Sequence, residues 1–167
     1  MMSPLTDPRY PIGPFRAPAA IARQDLQTAT DAIAALPLEL RRAVQGWTDA
    51  QLDTPYRSAG WTVRQLVHHM ADSHMNAYIR VRKALTENKP EISVYDEKAW
   101  AELTDARHAE VNLSLDLLDC LHRRWVSLLR SLGDDDWNRS FLHPERGEVR
   151  LDVNTLMYAW HGKHHLA

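Results

Sequence analysis

Nine of the 167 residues are histidine, and six of these fall in two groups: His68, His69 and His74, then His161, His164 and His165. Histidine is the commonest side-chain metal ligand and the one that titrates nearest neutrality. On a helix, His161 and His165 stand at i,i+4, so both imidazoles leave one face about a turn apart. That is the separation at which two histidines of one helix share a tetrahedral ion. Bundles that bind metals draw ligands from facing helices, and the His68, His69, His74 group is the other helical source. The same spacing also suits a pair of packing or solvated histidines. His164 lies nearer the apolar stripe of Val153, Met157 and Trp160 and reads as a packing residue. His74 falls at the centre of its own stripe, either as a satisfied core histidine or as an inward-looking ligand, and His122 carries the same two readings. His108 and His143 read as surface or loop residues. Cys120 lies off its helix's apolar stripe, and no glycine-rich phosphate loop, GxSxG elbow or HExxH is present.

The elements that must position these residues are legible as apolar periodicity. From about Ala20, Leu26, Ile33, Leu36, Leu40, Val44 and Trp47 share one helical face, with Pro37 implying a kink or two abutting helices. Gly46 and the polar stretch after it mark the exit. Thr62 and Gln65 have the spacing of a capping box. Val63, Leu66, Val67, Met70, His74, Ala77, Tyr78, Val81 and Leu85 then repeat at helical spacing until Asn88-Lys89-Pro90. Asp96 caps a short helix to Leu103, anchored by Trp100. Leu115, Leu118, His122, Trp125, Leu129 and Leu132 form the next stripe, ended by Gly133 and three aspartates. Phe141-Leu142 and Val149-Leu151 flank either a small hairpin or a tight loop. Asp152 is expected to cap a last helix whose apolar face is Val153, Leu156, Met157 and Trp160. Long helices are therefore expected near 20–46, 62–86, 113–132 and 152–167, with the six tryptophans most simply in the core. The connection over residues 87–112 is too long for a hairpin and must cross the bundle or cover one end. Five of the nine prolines lie in residues 1–18, which reads as an extended arm lying on something else. The fold class is all-α: a four-helix bundle with an extended Pro-rich N-terminal arm, one domain over residues 1–167.

Composition narrows the function. A chain of this length buries roughly 70% of its unfolded surface and needs no staple. Twenty Lys+Arg against 22 Asp+Glu leave a formal charge of −2, so no general pull toward nucleic acid or anionic membrane is expected. One cysteine excludes an intramolecular disulfide and a cysteine-rich zinc module. The opening MMSPLTDPRYPIG lacks a signal peptide's basic run and apolar core, and no stretch approaches 18 apolar residues, so a cytoplasmic protein is expected.

Several segments, in order, resemble a known family. These are Arg9-Tyr10-Pro11-Ile12-Gly13, Gln51 to Arg57, and Gly60-Trp61-Thr62-Val63-Arg64-Gln65-Leu66-Val67-His68-His69-Met70 running on to Asn76. Tyr95 to Trp100, Leu121-His122-Arg123-Arg124-Trp125, His143-Pro144 and Tyr158-Ala159-Trp160-His161-Gly162-Lys163-His164-His165 complete the set. The chain is similar to the YfiT branch of the DinB-like superfamily from about residue 9 onward. The resemblance implies a four-helix bundle, often a homodimer, holding one divalent ion, zinc or nickel, on three histidines. Carried over by position, the ligands are His69 from the second helix and His161 and His165 from the last. His68, His74 and His164 are then expected not to touch the metal. In the family the last helix continues past His-His-Leu-Ala with a further histidine, whereas this sequence stops at Ala167, which places His165 in a terminal turn open to fraying.

Three neutral imidazoles leave the ion its full charge and an open position, the arrangement of catalytic sites. Such an ion activates water for hydrolysis, or binds a thiol as thiolate. Resemblance to bacillithiol S-transferases, and the lack of an obvious general base beside the triad, favour a thiol transferase whose partners are a small-molecule thiol and an electrophile. A metal-dependent hydrolase and a non-catalytic metal-stabilised binding module are the alternatives. Asp72, three residues from His69, reads either as an orienting partner for an imidazole or as a solvated helix charge. Sequence leaves the metal open, because such sites follow the Irving–Williams order.

Overall fold

Pro37 neither ends nor divides the first helix. In the computed structural model, which describes residues 9–167, α1 (Arg23–Val44) passes through it without a break. The described elements continue with α2 (Asp49–Leu52), α3 (Val63–Thr86), α4 (Glu97–Ala101), α5 (Thr104–His108), α6 (Val111–Arg130) and α7 (Asp134–Trp137). A hairpin of β1 (Ser140–His143) and β2 (Gly147–Arg150) leads into α8 (Leu151–Leu166). Residues 1–8 of the expected arm lie outside the described residues. The rest of the arm is non-helical, and the Gly13 carbonyl accepts from Trp160 Nε1 at 3.2 Å.

The caps explain where the long helices start. Thr62 Oγ1 accepts from the Gln65 N–H at 3.2 Å and Gln65 Oε1 accepts from the Thr62 N–H at 2.9 Å, the reciprocal pair that opens α3. Asp152 does not cap α8. The N-cap is Arg150, and Asp152 lies in the first turn, paired with the Arg150 guanidinium. Gly133 and the three aspartates, expected to end α6, instead open the short helix α7, with Gly133 as N-cap.

Four long helices pack as a ring in the order α1, α8, α3, α6. Arg64 to the Ala109 carbonyl, His68 to Ser114 and His74 to His122 ascend together, so α3 and α6 run parallel. The 24-residue connection therefore carries the chain back along α3 rather than turning a hairpin. It holds α4 and α5, both packed on α3, and Gln65 Nε2 donates to the Ala101 carbonyl at 2.7 Å. Arg41–Asp116, Ile33–His122 and Asp31–Arg130 descend, so α1 and α6 are antiparallel. His74–His161 and His69–His165 descend as well, setting α8 antiparallel to α3.

The apolar stripes of α3 and α6 are buried much as their periodicity implies; Trp125, Leu118 and Val67 are sealed from solvent. On α8 the reading of the core face is wrong. Val153, Leu156, Met157 and Trp160 are only half-buried, while Leu151, Asn154, Thr155, Tyr158, Ala159 and Gly162 face inward. The reason is close approach: a Cβ built on Gly162 would stand 2.7 Å from Leu36 Cδ2, so α1 and α8 meet across small residues. The tryptophans divide likewise. Trp125 and Trp137 are core, Trp61, Trp100 and Trp160 are half-buried, and Trp47 is exposed. The hairpin alternative holds for Phe141 and Val149, which pair directly across the antiparallel ribbon. His143, expected on the surface, is buried in β1.

Candidate metal centre

The antiparallel contact of α3 with α8 decides which histidines meet. The possible ligand atoms of His69, His161 and His165 all lie within 4.8 Å of one another. His161 Nε2 and His165 Nε2 are 3.2 Å apart. Two nitrogens each about 2.05 Å from a tetrahedral zinc would be separated by about 3.3 Å, so the pair already has the spacing of two ligands on one ion. His69 presents its ring to both, with centroids 5.5 Å from His161 and 5.2 Å from His165. Trp61 packs on His69 with ring centroids 4.7 Å apart. His69 is buried while His161 and His165 are half-buried, so the cluster is open on the α8 side. The donor set therefore fits one divalent ion with a position left open.

The site is held neutral by burial. Desolvation pushes the His69 imidazole down to about 4. Burial, reinforced by neighbouring His69 and His164, lowers His165 to about 3. His161 lies well below the ordinary histidine range, through burial first and the surrounding histidines next. At neutral pH all three are unprotonated, the form a metal requires.

His68 turns away from the cluster. Its Nε2–H donates to the Ala109 carbonyl at 3.2 Å and its Nδ1 accepts from the Ser114 hydroxyl at 2.7 Å, so both nitrogens are engaged at the α3–α6 seam. His164 stacks on Trp160 with centroids 4.7 Å apart. His74 is fully buried and stands behind the cluster, 3.1 Å from His161 Nδ1 through its Nε2. His122 lies behind His74. The sequence left both with two readings, and the structure shows them hydrogen-bonded in the core and outside the three-histidine group. Burial raises the Asp72 carboxyl to about 6, with Asp105 adding to the shift, but among the described residues no hydrogen bond joins it to an imidazole. Cys120 is exposed on α6, and His108 ends α5 on the surface.

A cleft of about 710 Å³ reaches the cluster at His161. Its wall mixes the cations Arg80, Lys98 and Arg146 with Asp96, Glu97 and Glu145, and adds Tyr95, Tyr158 and Trp160. Arg80 is buried; its Nη2 reaches the Ser93 carbonyl at 3.4 Å, and its Nε has no partner among the described residues. Burial pushes the Tyr95 hydroxyl above the ordinary tyrosine range. Sequence reasoning missed this wall, because its residues come from α3, the connection, the hairpin and α8.

Comparisons with known proteins agree with this architecture. The model of the DinB superfamily matches residues 22–167. A Bacillus cereus protein named "Putative metal-dependent hydrolase" is 51% identical over 163 residues, covering 98% of this chain and 94% of its own length. One of the same name from Oceanobacillus iheyensis is 50% identical over 159 residues, covering 95% and 92%. Among solved structures, YfiT from Bacillus subtilis superposes with a TM-score of 0.93 at 46% identity, covering 96% of this chain and 92% of that one. It is described as a probable metal-dependent hydrolase with an unusual four-helix bundle topology.

Proposed function

The chain belongs to the DinB superfamily, and from that premise we propose that it is a divalent-metal-dependent enzyme acting on small molecules. In this reading His69, His161 and His165 hold the ion, and the cleft beside His161 receives a low-molecular-weight thiol and the electrophile it attacks. The observation that carries it is the donor set: three neutral imidazoles converge, and among the described residues no carboxylate bonds to any of them. Such a set suits zinc or nickel. A bound ion there supplies Lewis acidity, keeping its full charge to lower the pKa of a thiol or water beside it.

The rest falls to the chain's own residues. Trp61 shields one side of His69 from water. Arg80, with an unpartnered Nε, offers a charge-assisted contact for an anionic group of the thiol. Tyr95 and Tyr158 offer hydroxyl contacts in the same cleft. In the transfer one C–S bond forms, the leaving group departs with its electron pair, and the thiol proton passes to solvent. The cytoplasm, where thiols are kept reduced, is the compartment this chemistry suits, and a second copy of the chain is the proposed assembly partner.

A second reading, hydrolysis, is favoured by the names of the relatives and by Glu97 and Glu145 in the cleft wall. The test loads purified protein with zinc or nickel and compares two reactions: a thiol with a chromogenic aryl halide, and a nitrophenyl ester without thiol. Metal-dependent and thiol-dependent conjugation, lost in His69→Ala together with the metal, is the expected result. Ester turnover alone moves the assignment to the hydrolase. Metal binding without either turnover makes the protein a metal-stabilised binding module.

A further inference from the structure

We propose that Pro37, the Ile33 carbonyl, His122 and His74 form a buried positioning chain that presets His161 as a ligand, with its proton on Nδ1 and its Nε2 lone pair toward the ion. The proposal rests on reading His161 as a ligand. It begins from the helix ladder, in which the N–H of residue i bonds the carbonyl of i−4. Residue 37 is proline and has no N–H, so the Ile33 carbonyl lacks its i+4 donor inside an unbroken α1.

His122 supplies a donor instead, its Nδ1 lying 2.6 Å from that oxygen. A carbonyl only accepts, so the His122 proton is on Nδ1 and its Nε2 is bare. His74 Nδ1 stands 3.0 Å from that bare nitrogen and must donate to it. His74 Nε2 is then bare as well, and at 3.1 Å accepts from His161 Nδ1. His161 Nε2 is left with a lone pair, facing His165 Nε2. One residue comes from each long helix, α1, α6, α3 and α8, so the bundle's packing and the orientation of the ligand are set together. The order holds only while the inner imidazoles are neutral, and His74 and His122, at 0% and 1% exposure, have no solvent to support a charge. A carbonyl thus dictates three tautomers in series, against the preference of a free imidazole for the proton on Nε2.

Long-range ¹H–¹⁵N correlation on metal-free, ¹⁵N-labelled protein at neutral pH reads each tautomer directly. His122, His74 and His161 should all show a protonated Nδ1 and a bare Nε2, while His68, which donates from Nε2 to Ala109, shows the opposite pattern in the same spectrum. A proton on Nε2 in any of the three overturns the chain. Zinc affinity, measured by competition with a chromogenic chelator, gives the second readout. His122→Phe, two residues removed from the ion, should weaken zinc binding by about 10–100-fold. His74→Gln should retain most of the affinity, because one amide can both donate to His122 and accept from His161. Leu118→Ala should lower the melting temperature with no change in zinc affinity. Wild-type affinity in His122→Phe refutes the proposal. If the wild type itself binds no zinc or nickel, the assignment of the metal centre fails, while the tautomer pattern still decides whether the chain exists.

Discussion

Gly162 sits between His161 and His165, and replacing it with alanine asks how tightly α8 must approach α1 for those two rings to be placed. The new Cβ would lie 2.7 Å from Leu36 Cδ2 and 3.1 Å from Cδ1. Ordinary carbon contacts fall at about 3.5–4.0 Å, so the helices must part, or Leu36 must move, by most of an ångström. Leu36 is 2% exposed and has little room to yield. Overpacking of this kind costs about 1–3 kcal/mol, while removing a mid-helix glycine returns about 1 kcal/mol of helix propensity. The net expectation is a loss of about 0–2 kcal/mol, too small to interpret by itself. A double-mutant cycle resolves it. In a Leu36→Ala background, which alone should cost about 2–5 kcal/mol, the clash has no partner and Gly162→Ala should become stabilising by about 1 kcal/mol. The coupling is then about 1–3 kcal/mol, read from urea denaturation of the metal-free protein. Zinc affinity should fall in the single mutant, because a shift of several tenths of an ångström spoils the convergence of His161 and His165 on His69. If Gly162→Ala stabilises both backgrounds equally, close packing at that seam does not set the geometry of the site.

Three further expectations follow from the same contacts. Arg64 is buried and joins α3 to Asp49 and Asp53 at 2.7 Å each and to the Ala109 carbonyl at 3.0 Å; because both carboxylates are largely exposed, Arg64→Met should cost only about 1–2 kcal/mol in chemical denaturation, and a loss above about 4 kcal/mol would mean the pair behaves as fully buried. The metal-free protein should lose stability as pH falls from 6.5 toward 4. His69 and His122 are lowered to about 4 by burial, so across that window the unfolded chain binds more protons than the folded one, and the penalty levels off once the folded imidazoles protonate too; a midpoint flat with pH between those values contradicts their burial as neutral groups. The chain should sediment as a homodimer, with Leu113 and Leu117, exposed one turn apart on α6, as apolar surface for contact; a 19.2 kDa species at tens of micromolar (a range chosen for the assay) refutes it.

What was legible in the sequence was local. The Thr62–Gln65 box fixed the start of α3, because both partners lie within one turn, and the stripe from Leu115 to Leu132 named most of the buried face of α6, leaving out Val111 and Val126. The separation of His161 and His165 likewise put two rings on one side of α8. What failed depended on the neighbour. The inward face of α8 includes Thr155, Ala159 and Gly162, residues without apolar bulk, and at Gly162 α1 comes too close for a larger one. Hydrophobic periodicity assumes that the core side is the bulky side, and so it chose Met157 and Trp160, which border the cleft instead. That His68 faces Ser114 while His69 faces α8 is likewise a matter of how α3 is rotated between its partners, which adjacent positions in a sequence do not reveal.

Pro37 and His122 show the same limit at its sharpest. Within α1 alone, a proline in the interior costs about 3 kcal/mol and signals a break; within α6 alone, His122 is a polar residue in an apolar stripe. An unsatisfied buried carbonyl or imidazole costs about 1–3 kcal/mol, so each residue by itself is a defect. The contact that reconciles them joins residues 89 positions apart, the Ile33 carbonyl meeting His122 Nδ1. Because α6 packs antiparallel on α1, the oxygen released by the proline meets the imidazole that needs an acceptor, and two local costs become one hydrogen bond. His74 inherits the same logic: sealed among α6, α8 and Trp125, it is tolerable only because it has a donor's target on one side and a donor on the other. With His122, His74 and His161 hydrogen-bonded in series to the Ile33 carbonyl, none of the four long helices can rotate without breaking a link, and that constraint holds the His161 ring against His69 and His165.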